Sequence, residues 1–251
     1  MNRDEALLRE MNLWSTLALF QSQHAPPSLA QEESRLPTKL PPTVVPVTPE
    51  TNHEKVAVLT PPSPAPSHST NISTSLLERV NQCTACALHG VRTQAMVGQG
   101  SQSATWLLIA EAPSAEEDLH NLPLQGTAGE VLKNLLQAVE LTALTDTYHC
   151  YLVKCRPQHN RPPREEEFIA CRQYLMEEMA LLQPRVIVLM GRIVAKLLLN
   201  LDVPLSEMRQ KTYTLAGINT IVTLDMGALL RQPQEKSRAW RDFMYAKKLS
   251  M

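Results

Sequence analysis

Trp106-Leu107-Leu108-Ile109-Ala110-Glu111-Ala112-Pro113-Ser114 is the stretch around which the chain is organised. Trp106 to Ala110 is a short, continuous apolar run, the composition of a strand buried on both faces of a parallel sheet. The run closes at Glu111, just before Ala112-Pro113, because proline cannot continue a ladder in the middle of a sheet. In an open α/β sheet, ligands bind in the crevice beyond the carboxyl ends of the strands. Glu111 is therefore a carboxylate on a candidate active-site rim, the plainer alternative being a solvated loop glutamate.

Downstream, Ala128 to Leu141 is helical by period, with Val131, Leu132, Leu135, Leu136 and Val139 along one face. Tyr148 to Val153 is expected as the next strand, followed by the Pro-rich basic loop Cys155 to Arg164 and a long helix from Glu165 to Leu182 that Pro184 stops. Val186 to Met190 is a buried strand, with Gly191 and a helix through Leu199 after it. Tyr213–Leu215 and Ile218–Leu224 are two strands turning at Ala216-Gly217. From Gly227 to Arg231 a last helical region opens and runs out through Trp240, Phe243 and Leu249. Upstream, a short helix from Leu76 to Val80 leads into Cys83-Thr-Ala-Cys86 and a loop punctuated by Gly98 and Gly100. Strands alternating with helices give an α/β fold with a mostly parallel central sheet and helices on both faces.

The folded domain is thus expected over residues 76–251. Residues 22–75 are expected as a disordered linker: eleven prolines fall between Pro26 and Pro66, mixed with Ser, Thr, Ala and Gln, too few apolar groups to bury a core. Residues 1–21 carry Leu7, Leu8, Met11, Leu13, Trp14, Leu17 and Phe20 at roughly helical spacing. A short amphipathic piece on a tether is a partner-binding peptide, the alternative being an extra helix docked on the domain.

A formal charge of −1 over 251 residues excludes a global field for nucleic acid and leaves any such contact to a local patch. The acidic start Met1-Asn-Arg-Asp-Glu does not resemble a secretory signal, and no run of about 20 apolar residues is present, so a cytoplasmic location is expected. In that compartment five cysteines point to metal or chemistry rather than disulfides. Cys83-x2-Cys86 is one half-site. Cys155, in a loop after a strand, and Cys171, on the helix opening at Glu165, lie far along the chain. A loop folding back brings the four together as thiolate ligands for zinc or an iron–sulfur cluster. Two buried structural cysteines beside a chance Cys-x2-Cys is the other reading. Cys150 falls within a strand as a packing residue.

In order, Cys83-x2-Cys86, Glu111-Ala-Pro, Glu117-Asp118, Gly126-x-Ala128-Gly129, Lys154-Cys155-Arg156-Pro157, Cys171 and Ala228-Leu229-Leu230-Arg231 resemble family 4 uracil-DNA glycosylases, the iron–sulfur branch of that superfamily. The resemblance covers about Leu76 to Leu249. It implies the three-layer α/β/α sandwich of the glycosylases, a [4Fe–4S] cluster on Cys83, Cys86, Cys155 and Cys171 in preference to zinc, and Glu111 as a catalytic, water-orienting carboxylate. Several positions depart from the family pattern. Ser114 replaces the second glycine of Gly-Glu-Ala-Pro-Gly and is expected to narrow the approach of the sugar–phosphate backbone. Leu124 stands where the family stacks a phenylalanine on the base, a contact worth about 1–3 kcal/mol. Tyr151 replaces the asparagine that reads uracil; one phenol lacks the paired donor and acceptor of an amide. Asp225 replaces the histidine of His-Pro, and an ionised carboxylate repels the developing uracil anion; losing one such donor costs roughly 2.7–4 kcal/mol.

Leu8-x-x-Met11-Asn12-Leu13-Trp14 is similar to the start of the bacterial DNA polymerase III psi subunit. That similarity implies clamp-loader binding by the peptide through Leu8, Met11, Leu13 and Trp14, and binding of the chi subunit by the folded body. The combined expectation is a non-catalytic, psi-like adaptor in DNA replication or repair. The alternative is an active glycosylase with an altered pocket for uracil or another damaged base, with Glu111 and Asp225 as paired carboxylates. DNA phosphates are expected to meet the basic loop of Lys154, Arg156, His159, Arg161 and Arg164, unless Glu165 to Glu167 neutralise it. Arg231, Lys236, Arg238 and Arg241 form a second candidate surface.

Overall fold

The computed structural model describes residues 74–251. The expected partner-binding peptide 1–21, with Leu8, Met11, Leu13 and Trp14, lies outside the described residues, as does the expected linker up to residue 73. The first helix, α1 (Thr74–Gln82), opens two residues before the expected domain start. After it come β1 (Gln99–Gly100), β2 (Trp106–Ala110), α2 (Ala115–His120), α3 (Gly126–Ala138) and β3 (Thr147–Tyr151). Next are α4 (Glu165–Leu182), β4 (Val186–Met190), α5 (Arg192–Leu199) and α6 (Leu205–Met208). The chain ends with β5 (Tyr213–Leu215), β6 (Ile218–Thr223), α7 (Met226–Arg231) and α8 (Lys236–Ser250).

The six strands form one sheet in the order β1-β3-β2-β4-β6-β5. β3, β2, β4 and β6 are parallel, while β1 and β5 close the edges antiparallel. β2 and β4 are apolar throughout because both of their faces are covered. One face packs Leu107 and Ile109 against α1, α4 and α5, with Leu76, Val80, Phe168, Leu175 and Val194 in that core. The other packs Trp106 and Leu108 against α3 and α8, with Leu132, Leu135, Leu136 and Phe243. Trp106 stacks on Phe243 with ring centres 6.2 Å apart. The result is an α/β/α sandwich with a mostly parallel sheet. No helix among the described residues is long and apolar enough to cross a membrane.

The register fixes the working edge. Ala110 pairs with Tyr151, and Met190 with Thr223, so the carboxyl ends of the four parallel strands finish level. From β2 the chain crosses to β3 on one side through α3, then returns past β2 to β4 on the other side through α4. The crevice where these connections part lies beyond Ala110, and Glu111 is the next residue.

Beneath that edge lies a buried ion pair. Lys154 and Glu178 are each 1% exposed and joined side chain to side chain. Lys154 Nζ also donates to the Tyr151 carbonyl at 3.0 Å, and Glu178 Oε1 accepts from the Gly98 amide at 2.7 Å. The Tyr148 hydroxyl donates to the Gly98 carbonyl at 2.7 Å. Lys154 therefore cannot meet DNA phosphates, against expectation: its charge is consumed inside the protein. Lys236 is equally buried, so it leaves the second candidate surface. Removing one partner of such a pair leaves an uncompensated buried charge, which costs about 3–5 kcal/mol. Glu178→Ala is expected to lower the unfolding free energy by that amount in denaturant titration; a loss below about 1 kcal/mol would show that the pair does not hold the fold.

Candidate active site and cysteine site

A cavity of about 350 Å³ opens at the carboxyl edge, bounded by the residues after β2, by α3, by the end of β3 and by the start of α7. Glu111, Leu124, Tyr151 and Asp225, singled out from the sequence, all line it. Glu111 sits at the β2 terminus with its Oε1 3.1 Å from where a Cβ on Gly191 would stand, and the Asp225 Cβ is 3.3 Å from the same point. Gly191, at φ +106°, leaves both carboxylate side chains room at the head of α5. Burial, and then the nearby Asp225 carboxylate, push the Glu111 carboxyl up to about 7, while the Arg231 guanidinium acts in the opposite sense. Asp225 also caps α7, its Oδ2 accepting from the Ala228 amide at 3.0 Å.

Ser114 also has a structural role that its sequence context did not bring out. It is the N-cap of α2, accepting from the Glu117 amide at 3.3 Å, while its own amide donates to Glu117 Oε2 at 2.9 Å. Glu117 Oε1 takes the Leu124 amide at 2.8 Å. One buried carboxylate thus ties the loop after Glu111 to the loop that carries Leu124. Leu124 is buried with φ +59°, a strained left-handed backbone held by this clamp.

His149 and Tyr151 stand two residues apart on β3, so both face the cavity. Their rings meet edge to face at 5.0 Å. The Tyr151 hydroxyl and His149 Nδ1 are buried without a hydrogen-bond partner among the described residues. Glu117 stands near the Tyr151 hydroxyl without closing a hydrogen bond of acceptable geometry. Burial, then that carboxylate, holds the phenol protonated well above its ordinary range. Burial lowers His149 to about 4, so its ring is neutral at ordinary pH. His149 and the Glu117 clamp were missed as site residues. The alternation along β3 marks His149, and Ser114-x-x-Glu117 is a capping-box pattern.

The basic loop is neutralised in part by the glutamates that open α4, the alternative raised for it. Arg161 lines the cavity but is held by Glu167, with NH1 to Oε2 at 2.9 Å and NH2 to Oε1 at 2.5 Å. Arg156 Nε donates to Asn160 Oδ1 at 2.8 Å, and Arg164 is exposed beside Glu166.

Cys83, Cys86, Cys155 and Cys171 border a second, small cavity with Arg92, Lys154 and Tyr174. All five cysteines are free thiols, and Cys150 is fully buried in β3 on the same face of the sheet. Arg92 NH1 donates to Cys155 Sγ at 2.9 Å, and the Lys154 amide to Cys171 Sγ at 3.3 Å. Burial raises Cys155 and takes Cys171 to about 11, while Arg92 and Lys154 respectively favour the thiolates. Among the described residues no three ligand-type side chains converge tightly enough to hold a single ion. Four sulfurs around one shared space, with hydrogen-bond donors behind two of them, fit a group larger than one metal ion.

Residues 97–247 match the Uracil DNA glycosylase superfamily. The type-4 uracil-DNA glycosylase of Pyrobaculum aerophilum is 33% identical over 175 residues, covering 66% of this chain and 89% of that protein. The chain belongs to this family. The type-4 enzyme of Archaeoglobus fulgidus is 31% identical over 176 residues, 67% of this chain and 88% of its own length. That of Thermotoga maritima is 41% identical over 114 residues, 45% and 59% of the two chains. These similarities overturn the expectation of a non-catalytic psi-type adaptor. The substitutions at Leu124, Tyr151 and Asp225 lie in the cavity of a type-4 uracil-DNA glycosylase domain whose relatives are named as enzymes.

The elevated Glu111 pKa has a stability consequence. Its folded value of about 7 exceeds the ordinary 4.5, so ionisation is resisted in the folded state. No penalty applies below about pH 4.5, and the full penalty develops as pH rises through 7. Glu111→Gln is therefore expected to stabilise the protein by about 1–3 kcal/mol at pH 8 and to have little effect at pH 4.5, measured by denaturant unfolding at both values. Equal effects at both pH values would contradict this.

Proposed function

We propose that the protein hydrolyses the N-glycosidic bond of uracil or another damaged base in DNA. The supporting observation is Glu111: a half-buried carboxylate at the end of β2, beside Asp225, on the wall of a cavity large enough for a flipped nucleobase. Its pKa near 7 suits a general base at ordinary pH. A base turned out of the helix lies against the wall formed by Leu124, Tyr151 and His149, and the buried Tyr151 hydroxyl and His149 ring become available to its polar edge as the base seats. As the bond to C1′ breaks, ionised Glu111 orients a water molecule on the sugar face and accepts its proton. The abasic sugar and free base leave. Leu124 provides apolar contact in place of ring stacking, so binding of the flipped base rests more heavily on Tyr151 and His149.

Cys83, Cys86, Cys155 and Cys171 are the residues that would hold a [4Fe–4S] cluster, which supplies a covalent cross-link between distant parts of the chain. Arg92 and the Lys154 amide orient Cys155 and Cys171 for that role. Cys83→Ser is expected to bleach the brown colour of anaerobically purified protein and lower its stability. A colourless, zinc-loaded native protein would overturn this assignment.

The deciding experiment is single-turnover release of uracil from single-stranded and duplex DNA. Release is expected to rise with pH through about 7 and to fall about 10²-fold or more in Glu111→Ala. Parent activity no higher than the mutant's at every pH would sink the enzymatic reading.

A further inference from the structure

The side chains around the base cavity carry an uneven charge. Glu111, Glu116, Glu117 and Asp225 line it, against Arg161 and Arg231. Arg161 is already bound by Glu167, which lies outside the lining. Arg231 is exposed, but its guanidinium reaches in beside Asp225, the two groups lying 3.4 and 3.0 Å from the same point at Gly227, so one positive charge stands against the buried Glu117 and the half-buried Glu111 and Asp225. His149, neutral because it is buried, adds no positive charge. The lining of the cavity therefore carries a net negative charge, and charges partly withdrawn from solvent act more strongly on a bound base than they would in bulk water.

Such a pocket discriminates by how the base departs. When a neutral pyrimidine leaves, the electron pair of the C1′–N bond makes it an anion, formed here beside Asp225. When a base alkylated on a ring nitrogen leaves, the same pair cancels a positive charge already present and the base departs neutral. Water oxygen bonds to C1′ in both cases and its proton passes to Glu111, so only the charge of the leaving group differs. The Tyr151 ring adds a π-system to the same wall, a further favourable contact for a cationic ring.

We infer that this cavity is specialised for cationic, N-alkylated bases in DNA, with Asp225 as the specificity-determining residue. The inference rests on the glycosylase reading above, and one experiment separates the two. Single-turnover release is measured from matched duplexes carrying either one N7-methylguanine or one uracil, each corrected for spontaneous loss, with parent, Glu111→Ala and Asp225→Asn proteins. Asparagine also caps helices, so Asp225→Asn removes the charge while α7 keeps its N-cap. Glu111-dependent release of N7-methylguanine is expected, and Asp225→Asn should lower the ratio of N7-methylguanine to uracil release by about tenfold or more, on the scale of one electrostatic contact to the departing base. Glu111-dependent release of uracil alone, or a ratio that Asp225→Asn leaves unchanged or raises, overturns the inference and leaves the glycosylase reading intact. Release of neither base overturns both.

Discussion

The contact between Lys154 and Glu178 is the constraint from which the working half of the molecule hangs. Both groups are withdrawn from water, so neither tolerates the loss of the other. Their remaining hydrogen bonds reach the Tyr151 carbonyl and the Gly98 amide. Lys154 follows the end of β3 and precedes Cys155, while Glu178 lies on α4 two turns beyond Cys171. One pair of charges thereby sets the position of the Glu111 cavity on one side and of the cysteine site on the other. The two sites share no lining side chain, and this pair is the mechanical link between them.

The cavity is built by groups that stability alone would not choose. Glu111 resists ionisation, Leu124 holds a left-handed backbone, and two buried polar atoms of Tyr151 and His149 have no hydrogen-bond partner among the described residues. Each carries a cost, and all of them meet at the carboxyl edge of the sheet. The supporting shell is of the opposite kind. Glu117 satisfies two loop amides, and Asp225 and Ser114 cap the helices that frame the opening. Strained groups inside satisfied ones is the arrangement expected of a site preorganised for a substrate.

Much of this was legible in the chain. The apolar runs of β2 and β4 and the helical faces of α3 and α4 report burial directly, because a strand or helix covered on its face must show the matching period. The position of Glu111 on the rim at the end of β2 was legible because a strand end and a proline coincide there. β1 was not, since two residues show no period. The burial of Lys154 was hidden by its setting in a basic loop, where charge is ordinarily solvated; its partner Glu178 lies 24 residues away on another element. Arg161 was less hidden, because its partner Glu167 stands among the three glutamates that open α4, whose neutralising effect on the loop the sequence already suggested. The capping roles of Ser114 and Asp225 were overlooked because comparison with the family pattern framed both positions as losses. Counting departures likewise led to a non-catalytic domain, whereas the substituted side chains still enclose a cavity with a poised carboxylate.

The cysteine quartet also bears on how the molecule comes into being. Cys83 and Cys86 are contributed near the start of the described domain, whereas Cys155 and Cys171 follow only after β2, α3 and β3 have been traversed. Bringing them together closes a long loop, whose entropy must be met before the site exists. A nascent chain that has emerged only as far as β2 therefore offers two of the four thiols, too few to retain a group that needs all of them. If the four cysteines hold a cluster as proposed, its loading would be confined to chains whose sheet has already assembled through β3 and whose α4 has docked, and occupancy would then be a late mark of correctly folded protein.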